Sequence, residues 1–348
     1  MKGVTLLTSP TDSGGAKVTR TDEAGATLVM VALMMTAIVL IVGLVVDGGR
    51  SYAARRQAQN AADSAALAGA QALFSYQYAL FKGQAADPAR IWAAVQDKLT
   101  QNGAASDQTC AYVDVTGVTL GTACSVVVPP PVTAAGVAVG GTRTEPASFM
   151  RLAGFSTVGA RATSTATIQP LAGISSPFIV CGNPTVGGYN ILESSGRVNA
   201  SNAQALGVFD LQGPKVPDCG DPSAKFKGKA DPTVTFAGAA SYESVQQGNG
   251  YNSSIANQVA GQKPCPNGGP YDDCYMVIPL ANGPGGTSSA PLLYITDFGI
   301  FHVTAANNGG NPIYSGQFFQ PGTMVAGSGL AGQACVVGSQ VCVAQLIG

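Results

Sequence analysis

The sequence predicts an α+β protein. A single N-terminal transmembrane helix continues into an alanine-rich helix and a small α+β region, and a disulfide-containing all-β domain follows. Three observations carry this expectation. Residues 27–46 hold no charge, alanine recurs at helical spacing from residue 54 to 72, and every cysteine falls between Cys110 and Cys342. At 348 residues the chain is long enough to bury a sizeable core. Charged residues make up 11%, against ~25% in ordinary soluble domains. With 45 glycines and 21 prolines, the composition is that of turn-rich β structure. A net charge of −1 supplies neither a basic footprint for nucleic acid nor an acidic tail, so nucleic-acid partners are not expected.

The first element is "TLVMVALMMTAIVLIVGLVV", Thr27 to Val46. At ~1.5 Å per residue a helix of this length spans ~30 Å, the hydrocarbon thickness of a bilayer. It exceeds the ~7–15 apolar residues of a signal peptide, and no small-x-small cleavage site follows. A retained single-pass anchor is therefore expected, with the membrane as its first partner. Charge alone orients it poorly. Lys17 and Arg20 flank one end and Arg50, Arg55 and Arg56 the other, a slight excess on the wrong side for the positive-inside rule. The cysteines decide instead: an even set of eight on one side of the span fits disulfides in an oxidising compartment. The expected organisation is a cytoplasmic tail at 1–26, the span at 27–46, an α+β region at 47–170, and an extracytoplasmic Gly/Pro-rich β domain at 171–348.

Past Asp47-Gly48-Gly49-Arg50 the helical pattern resumes. Ala54, Ala58, Ala61, Ala65, Ala68 and Ala72 form a seam on one face, widened by Ala62, Ala66, Gly69 and Leu73. Arg56, Asn60, Asp63 and Ser64 lie mostly opposite. The glycine pair is expected to loosen the backbone at the membrane exit, since each Gly costs ~1 kcal/mol against Ala within a helix. Alanines bury little area, so such a seam acts by letting another backbone approach closely. That backbone belongs either to the chain's own sheet or to copies of the same helix and partner anchors; the two are compatible if different faces are used.

The stretch Asp22 to Leu73, with "VDGGR.Y..R...QNAADSAALAGA" at its heart, resembles the N-terminal region of TadE/TadG-like proteins of the Flp pilus (tight-adherence) assembly system. Asp47, Gly48, Gly49, Arg50, Gln59, Asn60 and Asp63 carry the signature. "VAVGGTRTEPASFMRLAGFSTVGARATSTA", Val137 to Ala166, is similar to the family too: a strand, a short "SFMRLAG" helix and a strand. The resemblance implies a pilin-like α+β region in a bacterial cell-envelope protein, N-terminus inside. It also implies partners among pilus or secretion-machinery proteins, a structural rather than catalytic role, and links to pilus assembly or adhesion. Two departures bound it. Relatives processed as prepilins place a Glu five residues after a Gly, whereas Gly25 is followed there by Met30. The Asp-x-Ser-x-Ser site of adhesion domains in longer relatives is missing, so metal-dependent adhesion is not carried over.

Residues 86–102 read as a second helix, opened by Asp87-Pro88 and closed by Asn102-Gly103. "CAYVDVTGVTLGTACSVVV" reads as two β segments with Cys110 and Cys124 bracketing their turn. From about Gln169 short β runs alternate with Gly/Pro/Asn-rich turns, as in a sandwich or barrel. Eight cysteines allow 105 pairings; local pairing gives Cys110–Cys124, Cys181–Cys219, Cys265–Cys274 and Cys335–Cys342, the last as a hairpin staple.

Catalytic, cofactor and metal residues are expected to be none. His302 is the only histidine and sits in an apolar strand, which favours a packed or edge role over a base. "GSGLAG" (Gly327 to Gly332) lacks a following helix and reads as a loop. "DFG" (Asp297 to Gly299) reads as a strand irregularity, Asp272-Asp273 as a solvated turn, and the sequons at Asn199 and Asn252 as chance.

Overall fold

The structure is a computed structural model that describes residues 21–175, 178–211, 219–220, 233–235, 241–244, 274–287, 290–307, 313–319, 324–325, 328–338 and 340–347. Helix α1 covers Thr21–Phe81 and α2 covers Ala89–Gln101. The chain then forms β1 (Ser106–Val113), β2 (Thr119–Ala123), β3 (Gly136–Pro146), a 3-10 turn at Met150–Ala153 and β4 (Thr157–Ser175). Beyond these come β5 (Val180–Cys181), α3 (Ala200–Ala205), β6 (Phe209–Asp210), β7 (Thr233–Thr235), β8 (Ser241–Ser244) and β9 (Tyr275–Thr287). β10 (Ala290–Asn307), β11 (Ile313–Phe319), β12 (Ser328–Gly329) and β13 (Cys342–Ile347) complete it. The fold is mixed α+β, as the sequence predicts. Two compact units divide the chain: residues 1–53 with 145–158, and residues 54–144 with 159–348.

In the larger unit the first sheet has the order β12-β4-β3-β1-β2, with β7 and β13 also paired to β4. The end of α1 and the whole of α2 cover it. From α1, Ala61, Ala65, Ala66, Ala70, Leu73 and Phe74 are buried; from α2, Ile91, Val95 and Leu99; from the sheet, Tyr112, Val137, Val139, Ala166 and Ile168. Gly69 marks the closest approach. A Cβ there would sit 2.7 Å from Val95 Cγ2 and 2.8 Å from Val137 Cγ2, so only glycine lets the three elements meet. Ile91, Val95 and Leu99 recur every fourth residue, which gives α2 one apolar face. The Asp87 carboxylate accepts the Ala89 N–H at 2.9 Å at its start, and Gly103 (φ +75°) ends it.

The second sheet has the order β5-β9-β10-β11-β6, with β8 also paired to β10; β5 and β9 are parallel and the other pairs antiparallel. Phe178, Val180, Ile191, Ile278, Leu280, Phe301, Tyr314 and Phe318 fill its core. A smaller cluster brings Leu171 of β4 and Val343 of β13 against Phe298 and Ile300 of β10. The two sheets of this unit thus share packed side chains. β13 returns to the first sheet, pairing Cys342 with Pro170 through Ile347 with Thr165.

Among the described residues, three disulfides staple the unit: Cys110–Cys124, Cys181–Cys219 and Cys335–Cys342. The third differs from the expected hairpin staple. It ties Cys335 to the first residue of β13, and the described residues 330–338 and 340–341 form no strand that would make a hairpin with it. Of the remaining expected pair, Cys265 lies outside the described residues, as do Asp272-Asp273 and Asn252.

Candidate functional site

The residues that carry the most specific sequence signal converge in the smaller unit, where α1 leaves its apolar stretch. Gly43, Asp47 and Arg50 follow one another at helical spacing of four and three, so they share one face. Gly43 and Asp47 are buried on that face while their helical neighbours are exposed. What covers them is the turn Ser148–Phe155. The Asp47 carboxylate accepts three consecutive backbone N–H groups: Ser148 at 3.0 Å on Oδ1, and Phe149 at 2.9 Å and Met150 at 2.6 Å on Oδ2. These are the amides at the start of the 3-10 turn, which have no partner within it. The Met150 N–H, aided by those of Ser148 and Phe149 and by the nearby Arg50 charge, holds the Asp47 carboxyl below the usual carboxylate range; loss of hydration works the other way without winning.

Arg50 Nη1 donates to the Pro146 carbonyl oxygen at 3.3 Å and to Ser148 Oγ. Gly43 makes the seat for Phe149: a Cβ on it would come within 2.8 Å of Phe149 Cβ and Cγ. One carboxylate, one guanidinium and one missing side chain therefore lock the turn to the helix. Gly48 and Gly49 behave differently from expectation. The helix runs through them without a break, and a Cβ at either would meet open space. Their hydrogen bonds are those of the helix, so the pair does not interrupt it.

The other signature residues act in the larger unit. Gln59 Nε2 donates to Asp63 Oδ1 at 2.8 Å, one helical turn on, and to the Thr163 carbonyl of β4 at 3.4 Å. Asn60 is exposed, and its carbonyl oxygen accepts the Ser64 hydroxyl. Ala54, Ala58, Ala61 and Ala65 are buried, whereas Ala68 and Ala72 are half-buried. The buried face has drifted to Ala62, Ala66, Gly69 and Ala70, because a straight α-helix slips ~20° per heptad against a 3.5-residue repeat. Ala58 and Ala62 pack on Ala162 of β4. The chain's own sheet covers this face.

A second polar centre lies in the β9–β10 ladder. Tyr294 pairs with Gly283, Ile295 with Ala281 and Asp297 with Leu280, so Asn282 and Thr296 are each bulged out of register. Asp297 beside them is buried, accepting the Val198 N–H at 3.0 Å and the Phe298 N–H at 2.9 Å. Burial pushes its pKa up to about 6 against these bonds and the Arg197 charge. The register slip explains why "DFG" falls in an irregular strand. His302 lies in β10 stacked on Tyr275, ring centroids 4.6 Å apart. Among the described residues, no three His, Cys, Asp or Glu side chains converge as metal ligands would. Sequence reasoning missed Gly43 and the burial of Asp297; Gly43 was detectable as the small residue one turn before Asp47.

A helix whose uncharged stretch is long enough to cross a bilayer, and which then carries a carboxylate lock and an alanine face, defines a membrane-anchored α+β protein. The family model of Flp pilus-assembly TadE/G-like proteins matches residues 25–72, the span, the lock helix and the alanine face together. That match marks residues 25–72 as similar to the TadE/G-like family. No curated protein and no solved structure matches the chain.

Proposed function

We propose that this protein is a membrane-anchored structural component of Flp (tight-adherence) pilus assembly, a minor-pilin-like subunit or assembly factor, with no catalytic role. The observation that carries the reading is the coincidence of the family match at residues 25–72 with the apolar helix and the Asp47 lock. The N-terminus faces the cytoplasm and the rest of the chain lies outside the cytoplasmic membrane. The three disulfides support that orientation, since such bonds persist in oxidising compartments. Residues 47–170 serve as the pilin-like region, and the later β structure is presented for assembly or contact. Any self-association through the alanine face would require that face to leave its own sheet, so partner contacts fall on other surfaces.

The test is co-purification of the native protein with the secretion ATPase and platform proteins, or with sheared pili. Recovery with either is the expected result. A deletion strain that assembles normal pili but loses a specific binding activity would replace this reading with that of an envelope-anchored adhesive or ligand-binding module.

A further inference from the structure

The Ser148–Phe155 turn is unusual in what it exposes. Phe149 and Met150 are 36% and 38% exposed and Phe155 is 58% exposed, with Arg151 also at the surface. No acidic residue lies between Ser148 and Val158. Exposed large apolar side chains on one short turn mark a contact surface rather than ordinary solvent-facing loop.

Its position says what the contact is. Phe149 packs on Gly43, and Gly43 lies inside the uncharged stretch, ~5 Å before its end at Val46 by helical rise. The turn is therefore held at the depth where hydrocarbon gives way to headgroups. Backbone N–H groups are costly at that depth unless they are satisfied within the protein. Six N–H groups in and beside the turn are satisfied in this way: Asp47 takes those of Ser148, Phe149 and Met150, Ser156 O takes that of Ala147, Arg151 O that of Gly154, and Met150 O that of Phe155. The lock thus prepares the turn for a low-dielectric surrounding and leaves its apolar side chains outward.

We propose that the Ser148–Phe155 turn is a second membrane contact, with Phe149, Met150 and Phe155 entering the headgroup–acyl boundary beside the helix exit and Arg151 meeting lipid phosphates. The inference rests on the membrane-anchored reading above. It uses the same logic as interfacial segments elsewhere, in which apolar side chains enter the boundary while a long cation reaches back to the phosphates.

The chain has one tryptophan, Trp92, which is removed as W92F to give a silent background. In that background, F155W and, separately, L33W are reconstituted in phosphatidylcholine–phosphatidylglycerol vesicles whose acyl chains are brominated. L33W reports the anchor itself; F155W reports the turn. The expected result is several-fold quenching of both, with F155W quenched best by bromines placed near the headgroup. Quenching of L33W with none of F155W would overturn the proposal and leave the anchor standing, including where F155W is shielded from aqueous acrylamide by protein. Failure to quench L33W would overturn the anchor, and with it the second contact. Phe155 is largely exposed, so replacing one aromatic ring by another leaves the packing intact.

Discussion

At Asp47 one carboxylate accepts three consecutive backbone amides, an arrangement that only an ionised, two-oxygen acceptor can complete. Asp47→Ala leaves all three without that acceptor. Their hydrogen exchange is expected to speed up roughly tenfold or more relative to the parent chain, which mass spectrometry of the detergent-solubilised protein can follow. The pH dependence has a definite sign. Because the folded Asp47 carboxyl titrates below 3.8, the lock is fully present above that pH and is lost as pH falls through the lower, folded value. Protection of the Ser148–Met150 amides should persist at pH 5 and disappear only in stronger acid.

Asp297 has the opposite sign. Its folded pKa of about 6 lies above the 3.8 of a free carboxylate, so between those values the folded chain keeps a proton that the unfolded chain has released. Stability is expected to fall as pH rises from 3.8 to about 6, by about 3 kcal/mol for a group this deeply buried. Denaturant midpoints at pH 4 and pH 7 measure it. In Asp297→Asn the slope should vanish, while stability in acid also drops. The Asn side chain sets an NH2, which cannot accept, in place of one of the two oxygens that take the Val198 and Phe298 N–H groups.

Elements depend on where they approach each other. Gly69 sits where α1, α2 and β3 meet, and Gly69→Leu would drive a side chain into Val95 and Val137. A loss of at least ~1–3 kcal/mol in chemical denaturation is expected, the cost of overpacking a full core. The helices and the paired strands of the Cys110–Cys124 hairpin were legible in the sequence because local signals set them, whereas the strand–turn–strand around Phe149 was legible only through the family resemblance. The Asp87 cap and Gly103 stop framed α2, and the alanine repeat framed α1. What was not legible is long-range. Nothing local says that Asp47 will find amides a hundred residues away, or that Gln59 will reach the Thr163 carbonyl. The register slips at Asn282 and Thr296 also leave no periodic trace, since each moves a single residue out of alternation. The unbroken helix at Gly48-Gly49 shows the limit of intrinsic propensity. A long helix already propagating on both sides absorbs ~1 kcal/mol per glycine without yielding.

For the whole molecule, the apolar helix should keep the chain in the membrane pellet through alkaline carbonate extraction, whereas a variant lacking residues 27–46 should move to the supernatant. Immunoblots of the two fractions decide it. β13 carries a different consequence. Its partner strand β4 is synthesised ~170 residues earlier, yet the first sheet is complete only when Cys342–Ile347 arrives. At ~5–20 residues per second, the edge at residues 165–170 waits roughly 10–30 s. Throughout that interval it is a bare template for any passing strand. The nascent chain therefore has a vulnerable age: a ribosome stalled before residue 342 would release a chain with an open sheet beside a finished anchor.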